Sequence, residues 1–434
     1  MQIFLIKENL TENLSESVKS GFYKFIIKSQ KTNSAIDLQV KKIIAQTKKS
    51  GDSALIKLSN QFDKTNFKQA KDFIVSASEI DEAEKQVNSE VKAALKHAFQ
   101  RIESYHKKQL PKNFCYHDED GVELGNLWRP IAAVGIYTPG GSASYPSSVL
   151  MSAIPALVAG VKNISMCVPT NSGSINPAVI FAAKICGIKK IYKIGGAQAI
   201  AAFAYGTKTI SKVDKIVGPG NSFVAGAKKN LYGEVGIDMI AGPTDITIIA
   251  DKNNNPEWIA IDALSQLEHG IDSKAFIIVD DENFAKKISA AIKQIKTKLS
   301  RRKIIEQSLK NSAIFIVKNL NDSFHLANFI APEHLEIVAK NAPEFTKKIN
   351  NAGAIFLGNY TPEAIGDYIA GPSHTLPTSR SAKFSSGLSV YDFLKRISLI
   401  SCNEKSFKNL AQSASTLAAC EGLSAHQLSI DIRR

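Results

Sequence analysis

Cysteine is scarce in this sequence, and the five cysteines that occur show none of the spacings that cysteine sites need. They lie far apart, at positions 115, 167, 186, 402 and 420, and no two form a Cys-x-x-Cys pair. An odd number of isolated cysteines argues against a disulfide framework and against a zinc cluster held by thiolates.

Long apolar runs are also missing. No run approaches the roughly 18 residues that a membrane-spanning helix needs, and the stretch Met1–Lys7 lacks the basic segment and long apolar core of a signal peptide. Hydrophobic residues make up 44% of the chain and charged residues 22%, which is typical of soluble globular proteins. We therefore expect a cytoplasmic protein without membrane contact.

Nucleotide-binding signatures are incomplete. There is no Walker A motif, and Gly218-Pro-Gly-Asn221 lacks the third glycine of the dinucleotide-binding fingerprint. This segment lies between a predicted strand and a predicted helix, so its N–H groups either hold a phosphate or form a plain tight turn. The formal net charge of +14 would favour an anionic cofactor. No basic stripe interleaved with aromatic residues is present, so we expect no nucleic-acid partner.

The hydrophobic pattern predicts an α/β protein. Residues 1 to about 107 are mostly helical and charged, and 115–125 form a loop or hairpin. Short apolar runs then alternate with helical patterns twice, over 131–231 and 245–369, which predicts two similar three-layer units with parallel sheets. The segment 326–338 is predicted to be helical with a break at Pro332. From about Ser386 onward we expect a helical tail that docks on a neighbouring subunit.

One helix carries a polar stripe. The stretch from Asn255-Pro256 to Gly270 predicts a helix with an Asx cap, and Asp262, Gln266 and His269 share one of its faces. Such a stripe is either a metal or substrate site or a solvated face whose terminal histidine favours the helix dipole.

Four of the eight histidines lie near glycine, proline or a carboxylate at the ends of predicted elements: His269, His334, His374 and His426. Asp367 precedes His374 by seven residues. We expect these residues in loops at the carboxyl ends of strands, where open α/β sheets bind ligands.

Eight short motifs lie along the chain: Gly140-Gly141, Gly195-Gly-Ala-Gln198, Gly218-Pro-Gly-Asn221, Asp238-Met-Ile-Ala-Gly-Pro243, Ser265-Gln-Leu-Glu-His-Gly270, Ala331-Pro-Glu-His-Leu335, Gly371-Pro-Ser-His-Thr375 and Glu421-Gly-Leu-Ser-Ala-His426. Together they resemble the histidinol dehydrogenase family, in family order from about Asn33 to Ser429. The resemblance implies a cytosolic homodimer that oxidises L-histidinol to L-histidine with two NAD and one zinc ion per subunit.

The resemblance also implies an aldehyde-dehydrogenase-like arrangement of two Rossmann-like units. Residues 136–245 would form an NAD-binding domain inserted in a discontinuous domain of residues 25–135 and 246–385, preceded by an arm (1–24) and followed by the helical tail (386–434). The N-terminal helices would then pack with the chain after about residue 246.

Site residues follow from the same resemblance. It implies that zinc is bound by Gln266, His269, Asp367 and His426. It implies that Glu333 and His334 are the catalytic residues, and that NAD contacts Tyr137, Gln198 and Asn221. His334 would accept protons and Glu333 would activate water. The substrate would also contact Thr244, His374 and Glu421, and the partner subunit would supply Glu421 and His426. Thr244 stands where the family usually has Ser, and Asp245 where it usually has Glu.

Other functions stay open at this stage. The same scaffold could oxidise another small alcohol, such as a sulfonated propanediol. A zinc hydrolase could use Glu333 and a metal-bound water. Charge alone motivates a nucleic-acid-binding protein. Cys420 offers a covalent route for aldehyde oxidation, although we favour water activated by Glu333.

Overall fold

The computed structural model describes residues 1–11, 14, 15, 18, 34–140, 145–170 and 173–434. In chain order, its strands and α-helices up to residue 237 are β1 (Gln2–Leu5), α1 (Ser34–Phe62), α2 (Ala77–Gln86), α3 (Ser89–Lys107), β2 (Phe114–His117), β3 (Glu123–Pro130), β4 (Ala133–Tyr137), α4 (Pro146–Ala159), β5 (Asn163–Cys167), α5 (Pro177–Ile185), β6 (Lys190–Tyr192), α6 (Gly196–Tyr205), β7 (Lys215–Val217), α7 (Ser222–Leu231) and β8 (Gly236–Ile237). The later ones are β9 (Asp245–Ala250), α8 (Pro256–Leu267), β10 (Lys274–Val279), α9 (Glu282–Ile295), α10 (Arg302–Ser308), β11 (Ala313–Ile316), α11 (Ser323–Ile330), β12 (His334–Val338), α12 (Ala342–Thr346), β13 (Ala354–Leu357), α13 (Glu363–Tyr368), β14 (Leu394–Ser401), α14 (Glu404–Cys420) and α15 (Ser424–Asp431). None of these described helices is long and apolar enough to cross a membrane.

A five-stranded parallel sheet forms the first unit, in the order β6-β5-β4-β7-β8. Helices α1, α6 and α7 pack on one face, and helices α2 to α5 pack on the other. Successive residues of a strand point to opposite faces, so Ile136 contributes to one core and Tyr137 to the other. The predicted three-layer unit with a parallel sheet is confirmed.

The helices before residue 107 belong to this first unit. Helix α1 packs on α6 and α7, α2 packs on α5, and α3 packs on α4. These helices therefore pack mainly with the first unit rather than, as the resemblance implied, with the chain after about residue 246. The reason is apolar surface: Leu55 of α1 and Ile102 of α3 are fully buried against the helices of the first sheet. Helix α3 also reaches that later part of the chain, where Arg101 donates to the carbonyl groups of Ile369 and Ala370. The exact domain boundaries stay a prediction.

A six-stranded parallel sheet forms the second unit, in the order β1-β11-β10-β9-β12-β13. Strand β1, from the predicted N-terminal arm, pairs with β11 at the edge of this sheet. Helices α8, α9 and α10 cover one face, and α11 and α12 cover the other. The second predicted parallel unit is confirmed, with a strand that the sequence pattern did not reveal.

A small antiparallel sheet, β14-β3-β2, changes the description of the C-terminal region. The segment 115–125, predicted as a loop or hairpin, is the hairpin of β2 and β3. Residues 386–401, however, contain no α-helix: Val390–Phe393 is a short 3-10 turn and Leu394–Ser401 is strand β14. Val390 and Phe393 are fully buried in the core of the first unit, and β14 pairs along the whole of β3. Only α14 and α15 form the helical tail. Two apolar anchors followed by a strand therefore tie the tail to the first unit.

The segment 326–338 also differs from its predicted helix. Helix α11 ends at Ile330, Ala331 takes a left-handed conformation with φ +51°, and Pro332 follows. Strand β12 then begins at His334 and lies between β9 and β13. The strand is short and buried, and it carries His334 and Glu336 among its apolar residues. Its pattern is therefore easily mistaken for the continuation of a helix.

Phe393 provides a test of the finding that the chain before β14 belongs to the first unit. We expect Phe393→Ala to lower the free energy of unfolding by about 3–5 kcal/mol, because a fully buried aromatic ring leaves a cavity. Phe384→Ala is the matched control, since Phe384 is 84% exposed. Urea unfolding followed by circular dichroism measures both, and equal midpoints for the two variants would contradict the assignment.

Candidate active site

A cavity of about 410 Å³ is lined by residues of both parallel units. From the first unit come Tyr137, at the end of β4, and the loop Gly218–Asn221 that follows β7. From the second unit come seven predicted site residues, namely Thr244, Gln266, His269, Glu333, His334, Asp367 and His374. Most of the site that the resemblance implied therefore lies around one cavity.

The two sheets present opposite ends to this cavity. The first sheet contributes the carboxyl ends of its strands, as expected. The second contributes amino ends, because Thr244 precedes β9 and His334 opens β12. The expectation of carboxyl ends is wrong for this unit. Parallel pairing explains the geometry: β9 and β12 are neighbours, with His334 in register with Ile246. Helix α8 runs back along the sheet, so Gln266 and His269 return to the same edge.

A hydrogen-bonded chain of polar side chains lies at this edge. The amide of Gln266 donates from Nε2 to the hydroxyl of Thr244, and that hydroxyl donates to Oε2 of Glu333. The backbone N–H of Asp245 also donates to Oε2 of Glu333, at 3.3 Å. Gln266 Oε1 is buried and accepts no hydrogen bond from the described residues. The network thus orients Glu333 and leaves one amide oxygen available to a ligand.

The ring of His334 is held by the same strand pair. Its Nδ1 donates to the backbone carbonyl of Asp245 at 3.1 Å, which leaves the lone pair on Nε2. Nε2 lies 3.7 Å from Oε1 of Glu363 and has no hydrogen-bond partner within the described ranges. Burial lowers the pKa of His334 to about 4, although Asp367 opposes the shift. The imidazole is therefore neutral near pH 7.

Burial shifts the neighbouring carboxyl groups in the opposite direction. It raises the pKa of Glu333 well above its ordinary value, and the charge of Asp245 adds to that shift. Burial also raises the pKa of Asp245 to about 7, against the effect of Lys274. Burial penalises the charged form of each carboxyl group, so each carboxylate is a stronger base here than it would be in water. Such perturbed groups in a cavity are typical of catalytic sites.

Asp367 lies near His334 in the cavity lining, and His374 lies next to Asp367. Nδ1 of His374 donates to the backbone carbonyl of Asp367 at 2.9 Å, and Ser148 from the first unit lies 3.1 Å from Nε2. Asp367, His334 and Glu363 offer possible metal-binding atoms within 4.8 Å of one another. Glu363 was missed by sequence reasoning, because nothing in its local pattern separates it from an ordinary residue in the first turn of a helix.

Asp262 does not share the cavity, although it shares a helix with Gln266. It lines a separate small cavity with Glu336, a carboxyl group that lies on β12. Helix α8 ends at Leu267, so His269 follows in a turn rather than on the helix. The cap at Asn255 is as predicted, with its side chain accepting from the N–H of Glu257 at 2.8 Å.

The three residues predicted to contact NAD differ in whether they line the cavity. Tyr137 lines the cavity, and its hydroxyl accepts from the N–H of Gly196 at 3.1 Å. Asn221 lines it too, but its side chain caps helix α7 by accepting from the N–H groups of Phe223 and Val224. Gln198 is buried behind the cavity wall and does not line the cavity. The structure thus brings two of these three residues to the cavity.

Glu421, His426 and Cys420 lie outside the cavity. All three are exposed, on or beside the tail helices α14 and α15. Neither Glu421 nor His426 has a side-chain hydrogen bond or ion pair with the described part of this chain. The tail carries exposed apolar residues beside them, namely Leu417, Leu423, Leu428 and Ile432. Within one chain, the predicted site is incomplete.

Lys228 and Asp238 are two cavity residues that the sequence analysis did not single out for chemistry. They form an ion pair in which both side chains are almost fully buried. Lys228 belongs to a helical pattern in which a lysine predicts an exposed position. Asp238 lies in one of the quoted motifs, which was the available signal.

Comparison with known proteins gives a consistent result. The profile of the family described as histidinol dehydrogenase matches residues 27–434. Histidinol dehydrogenase 1 of Nostoc sp. is 50% identical over 408 residues, covering 93% of this chain and 94% of that relative. Histidinol dehydrogenase of Agrobacterium fabrum is 48% identical over 423 residues, covering 97% and 98%. The crystal structure of histidinol dehydrogenase from Elizabethkingia anophelis superposes with a TM-score of 0.92 at 38% identity, covering 100% of this chain and 98% of that one.

The hydroxyl of Thr244 bridges two buried groups, so its removal should destabilise the protein. We expect Thr244→Val to lower the free energy of unfolding by about 1–3 kcal/mol, because Glu333 and Gln266 each lose a buried partner. Thr244→Ser should restore stability. Thr247→Val is the matched control, since the Thr247 hydroxyl is buried without a partner among the described residues. Urea midpoints for the three variants measure this, and equal losses at both valines would refute the bridging role.

Proposed function

The chain belongs to the histidinol dehydrogenase family, and we propose that it oxidises L-histidinol to L-histidine in two NAD-dependent steps of histidine biosynthesis. In the first step the alcohol and NAD⁺ give an aldehyde, NADH and one proton. In the second step the aldehyde, water and NAD⁺ give the carboxylate, NADH and two protons. The aldehyde stays bound between the steps.

The observation that carries this proposal is the convergence of two kinds of group on one cavity. One wall presents Glu333 and His334, which suit proton transfer. The other wall presents Tyr137 and the loop Gly218–Asn221, which opens helix α7. A helix N-terminus favours an anionic group such as the pyrophosphate of NAD. The cavity thus has places for a cofactor and for a small alcohol side by side.

The donor set around the cavity fits a zinc ion. Gln266, His269 and Asp367 would bind it from this chain, and His426 of a second subunit would complete the set. The free, buried Oε1 of Gln266 supports this assignment, because an amide oxygen without a partner is costly unless it meets a ligand. Amide, carboxylate and imidazole groups suit a metal of intermediate softness. Bound zinc would orient the substrate and stabilise negative charge on its oxygen.

His334 is proposed as the proton acceptor when the hydroxyl group loses its proton. Its Nδ1–H is engaged with the carbonyl of Asp245, so Nε2 carries the lone pair. The lowered pKa keeps the ring neutral near pH 7. A neutral imidazole with a free ring nitrogen can accept a proton, whereas an imidazolium cannot.

Glu333 is proposed to activate the water that attacks the aldehyde. Its raised pKa makes the carboxylate a stronger base than an exposed one. The Thr244 hydroxyl and the Asp245 N–H both donate to Oε2, which orients the carboxylate. His334 Nδ1 lies 3.9 Å from the same oxygen. The two catalytic groups therefore lie side by side at the start of one strand, rather than on one helix.

The tail helices are proposed to cross to a partner subunit in a homodimer. Glu421 would then pair with the substrate ammonium and His426 would reach the zinc. The exposed apolar residues of α14 and α15 support this, because soluble proteins rarely leave such a face uncovered. A twofold dimer would complete two equivalent sites by mutual exchange of tails.

NADH stoichiometry tests the reaction. With limiting L-histidinol and excess NAD, we expect two NADH per histidinol, measured at the reduced nicotinamide absorbance band. Chelation should abolish the signal and zinc should restore it. Glu333→Gln should yield one NADH per histidinol together with free aldehyde, because the amide cannot remove a proton from water.

Other results of the same assay would redirect the proposal. One NADH per histidinol in the wild type would refute two coupled oxidations. No NADH with zinc present would favour another small alcohol on the same scaffold. Hydrolytic turnover without NAD would favour a zinc hydrolase.

Mixed dimers test the shared site. His334→Ala and His426→Ala enzymes should each be inactive alone, and unfolding and refolding them together should restore about a quarter of wild-type activity in a twofold dimer. The mixed species has one site with both defects and one site with neither. Activity is measured here as formation of L-histidine, since Glu333→Gln should still complete the first oxidation. A mixture of His334→Ala and Glu333→Gln is the control, because both defects lie in the part of the site that a single chain supplies. Rescue in the control, or none in the test mixture, would contradict the exchange of tails.

A further inference from the structure

A buried ion pair lies beneath the loop that faces the proposed cofactor position. Lys228 is on helix α7 and Asp238 follows strand β8, and both side chains are at most 2% exposed. Burying two charges is costly, and an apolar pair of similar volume is often as stable. Stability alone therefore does not account for this pair, and its contacts indicate what else it does.

The ion pair holds both backbone polar groups of Gly218, its N–H and its carbonyl. Oδ2 of Asp238 accepts from the backbone N–H of Gly218 at 2.7 Å, and Nζ of Lys228 donates to the carbonyl of Gly218 at 3.0 Å. Oδ1 of Asp238 also accepts from the N–H of Met239 at 2.6 Å. The orientation of the Gly218 backbone is thus determined from two different elements.

Only glycine fits at position 218 in this arrangement. Its φ is +110°, and a Cβ there would overlap the carbonyl oxygen of Tyr137. Pro219 then fixes the next φ angle and has no N–H. The N–H groups of Gly220 and Asn221 follow, and neither donates to any other residue in the described ranges. Both residues line the cavity.

We propose that Lys228 and Asp238 are positioning residues for NAD, which fix the Gly218 peptide so that the free N–H groups of the following loop bind the anionic part of the cofactor. The proposal rests on NAD being the cofactor of this cavity. The ion pair acts through the loop: its hydrogen bonds to Gly218 are charge-assisted and therefore resist the distortion that cofactor binding would otherwise cause. It takes no part in proton transfer, which belongs to the opposite wall.

Two single variants and their double variant test this role. Lys228→Met and Asp238→Asn should each raise the dissociation constant and the KM for NAD about tenfold, since each removes a charge-assisted hydrogen bond from the loop. The KM for L-histidinol and kcat at saturating NAD should stay close to wild type. The double variant should bind NAD no less tightly than the single variant with the higher dissociation constant, because both changes release the same peptide. Isothermal titration with NAD and initial-rate kinetics measure these quantities.

Lys215→Met is the matched control. Lys215 lies on β7, three residues before Gly218, and makes a partly buried ion pair with Asp392. Its loss should leave NAD binding unchanged. Weakening by Lys228→Met but not by Asp238→Asn would show that the lysine contacts the cofactor charge directly, and would overturn the positioning role. A fall in kcat with unchanged KM values would overturn it too. Wild-type enzyme that binds no NAD would instead refute the proposed function.

Discussion

The parallel pairing of β9 with β12 determines the geometry of the candidate active site. Two neighbouring parallel strands begin at the same edge of a sheet, so the residues at their starts are adjacent whatever their separation in sequence. Thr244 and Glu333 are 89 residues apart along the chain and hydrogen-bonded in space. The same pairing holds His334 against the carbonyl of Asp245. A shift of one residue in this register would turn these side chains to the other face of the sheet.

Burial gives this edge its chemical character. A hydrophobic sheet interior penalises charge, so it lowers the pKa of His334 and raises those of Glu333 and Asp245. A neutral imidazole and a strongly basic carboxylate therefore lie next to each other. Hydrogen bonds from Thr244 and from backbone groups keep them oriented. The second parallel sheet excludes water from one side, and the cavity admits ligands from the other.

The opposite polarity of the two sheets explains how one cavity brings together the two kinds of group that the proposed cofactor and the proposed substrate need. The first sheet offers a loop that opens a helix, which suits an anion. The second sheet offers strand starts and the ends of returning helices, which carry the carboxylates and imidazoles. Neither unit alone has both. The tail, anchored to the first unit by Phe393 and β14, leaves Glu421 and His426 on an exposed apolar surface.

Much of the architecture could be predicted from the sequence, because secondary structure depends on local periodicity. Alternating apolar runs and helical patterns predicted both parallel units, and the cap at Asn255 was predicted from residue type. Strand β12 was missed because its five residues mix buried polar and apolar side chains, and so short a run has no periodicity that separates strand from helix. Strand β14 and the edge strand β1 were missed because pairing partners far along the chain decide whether such segments form strands.

The candidate site, too, could be predicted from the sequence only in part. The sequence by itself determined which residues are proposed for the chemistry, since the motifs around His269, Glu333 and His374 are recognisable as strings of residue types. Only the tertiary structure decided that they meet at the amino ends of strands, that Asp262 lies elsewhere, and that Glu363 is buried beside them. It alone also decided that Lys228 and Asp238 form a buried ion pair in the lining of the same cavity. The physical reason is that burial, pKa and hydrogen-bond partners are properties of packing between distant segments. A local pattern of residues does not contain that information.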